Sequence, residues 1–321
     1  MKTTIDWLKF RSKKGPFELL ELVRPAFGTL GDLLELKTGA KPRDGWTHAA
    51  EIVIPDHVIA HIDYGGDSQR DWVRFDMSGS GCEWVQSWEH FNGFDQIDDC
   101  EITRLDIAFT TSDPSVVCDA KVVEAFESGR FGCGGRPPSM RSIVNSDPTA
   151  GKTRYIGKRE NHKFLRCYEK GWELMRGLPS DLPFRLQTDM RMEVDHFGMV
   201  NLSDLYRVEL ELKNVDKFIP WFAIAKRDEV FAGSYPFCAE LLPDAPHVVF
   251  QSMPSFKPRA ALQKALSNLG RSYGGILKAA HLAYGGDDVA LLKIAKQCLA
   301  SEPSRHLVES GVLTVDHEPV F

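Results

Sequence analysis

Three stretches of this chain carry charged or hydroxyl side chains at every second position, with aliphatic ones between them. Across Glu101–Thr110, the residues Ile102, Arg104, Asp106 and Ala108 fall on one side of a strand, and Leu105, Ile107 and Phe109 fall on the other. Across Tyr206–Lys213, the residues Arg207, Glu209, Glu211 and Lys213 share one side, against Val208, Leu210 and Leu212. Across Lys163–Lys170, Arg166, Tyr168 and Lys170 share one side, and Phe164, Leu165 and Cys167 are apolar or small. Arg and Asp in the middle of an apolar strand are costly unless they are paired or bind something. A tyrosine with cations two residues away on either side is equally unusual for a core strand. Such cations favour the phenolate and attract phosphate.

The rest of the pattern predicts more strands and helices. Ile5-Asp-Trp-Leu-Lys-Phe10 alternates as a first strand, with Ile5 and Trp7 on one side. Residues 16–36 have helical spacing broken at Pro25 and Gly28, and a Gly/Pro/Lys loop follows over 38–44. Residues 47–54, 58–64 and 71–78 read as strands parted by Pro55-Asp56 and Gly65-Gly66 turns; residues 84–94 read as an aromatic-rich helix. A helix is expected over 116–128, then a Gly/Pro-rich loop over 129–138. Thr153–Gly157 and Phe164–Lys170 form a hairpin whose tip, 158–163, is basic and suits a DNA-backbone contact. Residues 178–199 read as irregular, 216–232 as a helix broken at Pro220, and 235–258 as a connector. Three helices follow, over 260–269, 273–283 and 289–300. No internal repeat is visible. The expected organisation is a domain over 1–240 and a connector with a C-terminal helical segment over 241–321.

Charge sharpens this picture. The net charge of −6 argues against a nonspecific polyanion binder. Its distribution is uneven, however: residues 44–113 hold 15 Asp and Glu against 3 Lys and Arg, and residues 130–176 hold 11 Lys and Arg against 4 Asp and Glu. An acidic sector beside a basic one suits a nucleic-acid enzyme that gathers carboxylates for a metal. Seven widely spaced cysteines without a C-x-x-C fit reduced thiols better than disulfides or zinc. No apolar run is long enough to span a membrane, and the first ten residues lack the apolar centre of a signal peptide, so a cytoplasmic protein is expected. His57 and His61 lie in a β-rich run and read as structural.

If the three polar-faced strands are neighbours in one antiparallel sheet, Asp106, Glu209 and Glu211 converge near Tyr168 with cations around them. Oxygen-only ligands of this kind suit Mg²⁺ or Mn²⁺ rather than zinc. A tyrosine beside such a site can attack phosphorus and hold a DNA end covalently. The same pattern also fits a half-exposed sheet laced with ion pairs, and the residues alone leave both readings open.

The chain resembles the replication initiation factor family: rolling-circle initiators of filamentous phages, related to Rep proteins of rolling-circle plasmids. The likeness rests on Ile5–Phe10, Arg104-Leu-Asp-Ile-Ala108, Gly134-Gly-Arg-Pro-Pro138, Thr153-Arg-Tyr-Ile-Gly157, Leu165-Arg-Cys-Tyr-Glu-Lys170 and Arg207–Lys213. It continues through Phe231-Ala-Gly-Ser-Tyr-Pro236 and Arg271-Ser-Tyr-Gly274. The resemblance implies an α+β fold, an antiparallel sheet flanked by helices. It implies a metal-dependent endonuclease that nicks one strand of a double-stranded origin, forms a 5′-phosphotyrosine, and later rejoins the displaced strand. Host helicase and polymerase are the implied partners.

Carried over by position, Tyr168 is the nucleophile, assisted by Arg166 and Lys170, with Tyr155 as its rival. Asp106 and Glu209, then Glu211, are the metal ligands. Arg104, Arg207, Arg154, Lys158, Arg159 and Lys163 are DNA contacts. No His-hydrophobic-His motif is present, so a histidine pair on one strand cannot hold the metal. The alternatives are an origin-binding regulator without chemistry and a nuclease that uses water and forms no covalent link. The C-terminal helices fit packing onto the main domain, a duplex-DNA contact or a homodimer.

Overall fold

The structure is a computed structural model and describes residues 2–55, 57–146, 150–175, 191–194, 197–215, 217–248 and 258–297. The chain divides into two units, Met1–Ser252 and Met253–Phe321. The predicted features over 178–190, 249–257 and 298–321 lie outside the described residues.

The first unit is α+β, built on a ten-stranded sheet ordered β2-β3-β4-β5-β1-β6-β12-β9-β8-β7. Its first half contains β1 (Thr4–Ser12), β2 (Glu35–Thr38), β3 (His48–Ile54), β4 (His57–Tyr64) and β5 (Val73–Ser78). Its second contains β6 (Cys100–Thr111), β7 (Met140–Val144), β8 (Lys152–Ile156), β9 (Lys163–Glu169) and β12 (Tyr206–Lys213). The pair β10 (Arg191–Val194) and β11 (Gly198–Asn201) forms a separate ribbon, inside a stretch expected to be irregular. Every pairing in the large sheet is antiparallel.

The two halves repeat one another. Outward from the centre, β1-β5-β4-β3-β2 mirrors β6-β12-β9-β8-β7, and the central pair β1–β6 is antiparallel. A helix follows the first strand of each half: α1 (Pro16–Val23) after β1, and α2 (Asp119–Glu127) after β6. The repeat was invisible in sequence because a strand's place in a sheet is set by which side chains alternate inward, and many residue combinations satisfy that alternation.

The alternation separates two faces. Leu8, Phe10, Phe75, Leu105, Ile107, Phe109, Leu165, Val208 and Leu210 point to one side and are buried. Against them pack the 3₁₀ segment Trp88–Gln96 and three short helices, α4 (Phe222–Ala225), α5 (Arg227–Ala232) and α6 (Pro236–Leu241). Phe10 stacks on Phe75 at 4.6 Å and meets Phe94 and Trp221 edge-on. Trp221 is buried and its indole nitrogen donates to the Cys100 carbonyl at 3.2 Å. Truncating Trp221 to Ala would cost on the order of 3–5 kcal/mol, since it removes packing and leaves a cavity in this aromatic cluster.

Two expected face assignments are wrong. At a register shift between Lys9 and Phe10, Ile102 pairs with Phe10 in the core and leaves the side of Arg104 and Asp106. A register shift between Ile5 and Trp7 turns Ile5 into the core, opposite Ile107, while Trp7 lies opposite Asp106 on the polar face. The extra residue at this bulge is Asp6. The helix expected over 84–94 is instead a 3₁₀ segment that begins at Trp88.

The second unit is a helical hairpin. The segment α7 (Pro258–Ala283) turns through Gly285 and Gly286, both at positive φ, into α8 (Asp288–Gln297). Asp287 caps α8, accepting from the backbone N–H groups of Val289 and Ala290. Among the described residues no helix is long and apolar enough to cross a membrane.

Candidate active site

Strands β6, β12 and β9 are direct neighbours, so their polar faces meet. Register places Glu211 opposite Asp106, Glu209 opposite Arg166, and Arg207 opposite both Tyr168 and Thr110. Residues directly across an antiparallel pair lie about 5 Å apart, close enough for their side chains to touch.

Tyr168 donates its phenol hydrogen to Glu209 Oε2 at 3.2 Å. Arg166 Nη2 reaches both Glu209 oxygens, at 2.8 and 2.7 Å, and its guanidinium stands 4.9 Å from the Tyr168 ring. On β6, Arg104 grips Asp106 through two bonds, 2.8 and 2.5 Å long, and also contacts Glu211 at 3.1 Å. The Arg104 guanidinium lies 4.1 Å from the Trp7 ring. Glu211 is further held by Lys213 at 2.6 Å and Arg159 at 3.6 Å. Arg207 bonds Thr110 Oγ1 at 2.9 Å and Asp6 Oδ1 at 2.6 Å.

The carboxylates are deeply buried: Asp106 is 0% exposed, Glu209 2% and Glu211 4%. Burial pushes the Asp106 carboxyl up to about 7; the charges on Glu209 and Glu211 push the same way, and Arg104 opposes them. The Tyr168 hydroxyl is 7% exposed overall as a residue and is also shifted upward, by burial first and then by the Glu209 charge. This corrects the expectation that flanking cations favour the phenolate. Desolvation and an adjacent carboxylate outweigh them. The ring nonetheless lies against the Arg166 guanidinium and is not part of the main hydrophobic cluster.

Asp106, Glu209 and Glu211 supply only oxygen donors, the type a hard divalent cation takes. Burial first, and the Glu209 and Glu211 charges after it, raise the Asp106 carboxyl, and a bound cation would offset both. The donor chemistry therefore fits Mg²⁺ or Mn²⁺. Their partners here are arginines and Lys213, and no group of three His, Cys, Asp or Glu among the described residues is arranged as a ready metal cage.

Some expected site residues lie elsewhere. Lys170 is not on the strand face; it opens α3 (Lys170–Met175) and pairs with Glu173 at 2.9 Å. Arg154 lies opposite Cys167, on the core-facing side, and forks onto Asp119 of α2 at 2.7 Å. Lys163 donates to the Ser234 carbonyl at 2.6 Å and sits 3.9 Å from the Tyr235 ring. Lys158 and Arg159 are exposed at the hairpin tip, as expected. Tyr155 lies opposite Arg166, beside Phe164 and Arg141.

Sequence reasoning missed Asp6, Trp7 and Thr110 as members of this face. The signal for Asp6 was present: an acid out of step in an otherwise apolar strand.

Residues 100–253, which contain β6, β9 and β12, match the sequence model of the replication initiation factor family. Among solved structures, the chain is similar to a rolling-circle replication initiator protein from Geobacillus stearothermophilus. The two are 17% identical, the match covers 78% of this chain and 99% of the other, and the TM-score is 0.52. At that identity the likeness concerns the fold. No curated protein matches the chain. Residues 100–253 of this chain thus match the replication initiation factor family, and the chain shares the fold of a rolling-circle initiator.

Proposed function

We propose that this protein is a rolling-circle replication initiator, a sequence-specific DNA nicking-joining endonuclease that works through Tyr168. The observation that carries the reading is the 3.2 Å hydrogen bond from the Tyr168 hydroxyl to Glu209, among arginines able to receive phosphate. In the forward step the tyrosine oxygen bonds to phosphorus and the P–O3′ bond breaks. The phenol proton passes to Glu209, and the departing 3′-oxygen takes a proton from solvent. The products are a 5′-phosphotyrosine and a free 3′-OH; the reverse step rejoins the strand. Because the phenol is shifted upward, it enters the reaction protonated and needs this acceptor.

Asp106 and Glu209, with Glu211 behind them, would hold Mg²⁺ or Mn²⁺, which supplies charge stabilisation at the phosphoryl oxygens. Arg104, Arg166 and Arg207 would steady the flanking phosphates, and Lys158 and Arg159 would meet the duplex backbone. The partners in this reading are double-stranded origin DNA, the displaced strand, and the host's helicase and polymerase in the cytoplasm. A homodimer through the C-terminal helices is compatible with it.

The test is incubation with supercoiled plasmid bearing the origin and Mg²⁺. Nicked circles with protein attached are expected. The burial of Tyr168 and the ion-paired carboxylates favour one rival, an origin-binding regulator without chemistry. A gel shift without nicking, in either Mg²⁺ or Mn²⁺, would support that rival and overturn the proposal.

A further inference from the structure

The repeated topology sets β5 where β12 stands in the other half of the sheet. Arg74-Phe-Asp76-Met-Ser78 on β5 then takes the place of Arg207-Val-Glu209-Leu-Glu211 on β12. The cross-strand partners correspond too. Asp76 faces His61 as Glu209 faces Arg166, and Arg74 faces Asp63 as Arg207 faces Tyr168. An aspartate occupies the tyrosine's place, so this half has no such nucleophile. What it has is a cavity of about 250 Å³, lined by Trp7, Arg43, Ile59, His61, Ser78 and Ser80, with Asp76 among them.

The cavity is built, with its polar groups held in place. Asp76 is 4% exposed and accepts from the Trp7 indole nitrogen at 2.7 Å, while Lys9 and Arg43 hold its other oxygen at 3.0 and 3.2 Å. Asp76 therefore fixes Trp7 and Arg43 and is itself satisfied. Arg43 also pairs with the fully buried Asp63 at 2.9 Å, yet its Nε is buried without a hydrogen-bond partner. A buried donor left unpaired is a cost that a ligand acceptor would remove. The Ser78 and Ser80 hydroxyls bond each other at 3.3 Å, which leaves one donor and free acceptor lone pairs for a ligand. His61 meets Glu51 through Nδ1. The Gly79–Cys82 turn comes so close to β4 that a side chain at Gly81 would strike the Ile59 carbonyl, which fixes this wall.

We propose that this cavity receives one nucleobase of the DNA strand whose phosphate lies at Tyr168. The volume is just below the ~300–1,000 Å³ usual for ligand pockets, which suits one small planar group rather than a dinucleotide cofactor. A base brings a π face for Trp7 and an edge of donors and acceptors for the serines, His61 and Arg43. A phosphate fits less well, because the Arg43 charge is already matched by Asp63 and Asp76 and a second anion would face Asp76. Trp7 joins the two places: it lies opposite Asp106 on β6, and Arg104 stacks on it. From β9, which carries Tyr168, to β5 are four strand spacings of about 4.8 Å, or roughly three to six nucleotides of DNA.

The inference rests on the proposed DNA-nicking role, and its test reads binding so that the two can fail separately. In full-length Tyr168→Phe protein, which keeps the strand intact, a labelled single-stranded origin oligonucleotide is bound with one abasic site walked along it. Affinity is expected to fall about tenfold at one position, roughly three to six nucleotides from the phosphate that wild type links. Ser80→Phe, at an exposed position beside the cavity, should weaken the intact strand by a similar factor and be indifferent to the abasic site there. His61→Ala should show a smaller loss with the same dependence. Additive losses in both variants would overturn the base pocket, whatever wild type does in the nicking assay. Coupled losses would support it even if wild type forms no covalent link. Protein that binds no oligonucleotide overturns both readings.

Discussion

Tyr168 and Glu209 meet on the diagonal across β9 and β12: Glu209 faces Arg166 in register, yet it is the Tyr168 hydroxyl, two residues along, that donates to it. Both the phenol and Arg166 therefore converge on one buried carboxylate. Glu209→Gln keeps the shape and removes the charge that receives the phenol proton. Single-turnover nicking should fall about 10²-fold or more, while origin affinity changes by no more than a few-fold. Undiminished nicking would show that another group takes the proton.

Arg166 balances a charge that burial makes costly to leave alone. Arg166→Ala leaves Glu209 without its cation, and about 3 kcal/mol of stability should be lost in a urea melt. The low end of the range for broken buried pairs is chosen because the Arg166 side chain is 36% exposed and water can partly replace it. Millimolar Mg²⁺ should return some of that loss in the variant. No recovery would count against a cation at these carboxylates.

Asp106 makes stability depend on pH in an unusual direction. Its carboxyl sits at about 7 in the folded chain, against an ordinary value near 3.9 when unfolded. Between those values the folded state binds the extra proton, so the contribution of Asp106 to stability is fully present below about pH 4. It is lost as pH rises toward 7. With chelator present, wild type should lose stability relative to Asp106→Asn from pH 4 to 7, and the change should level off above. Wild type gaining on the variant over that window would mean the carboxyl is not raised.

Tyr155 is the second phenol on the same face, across from Arg166. It stacks beside Phe164, and among the described residues no carboxylate receives its hydroxyl. Tyr155→Phe should therefore retain covalent linkage to origin DNA within a few-fold, as read by denaturing gel. Loss of the link in this variant alone would transfer the nucleophile's role to β8.

Much of the site was legible because a strand's period of two assigns faces without knowledge of its neighbours. Arg104, Asp106, Arg166, Tyr168, Arg207, Glu209 and Glu211 all lie on the predicted face, and their strands are adjacent. Lys170 was misplaced because the strand ends at Glu169, and a strand's last residue is poorly marked by alternation. Asp6 and Trp7 were missed because a bulge resets the parity, which a strict period cannot show. The phenol's upward shift was not legible either. Flanking cations are visible in sequence, whereas the extent of burial and the approach of Glu209 from another strand are set by tertiary packing. The internal repeat became visible only once strand order was known, although Arg74-Phe-Asp76 and Arg207-Val-Glu209 already share a pattern.

The covalent link itself gives the most direct test. Wild type and Tyr168→Phe, each incubated with Mg²⁺ and origin DNA, are denatured and digested, and the DNA-bearing peptide is sequenced by mass spectrometry. The account predicts a nucleotide on Tyr168 in wild type and no adduct in the variant, with origin binding kept within a few-fold. An adduct that persists in Tyr168→Phe, or one mapped to another residue in wild type, would contradict it.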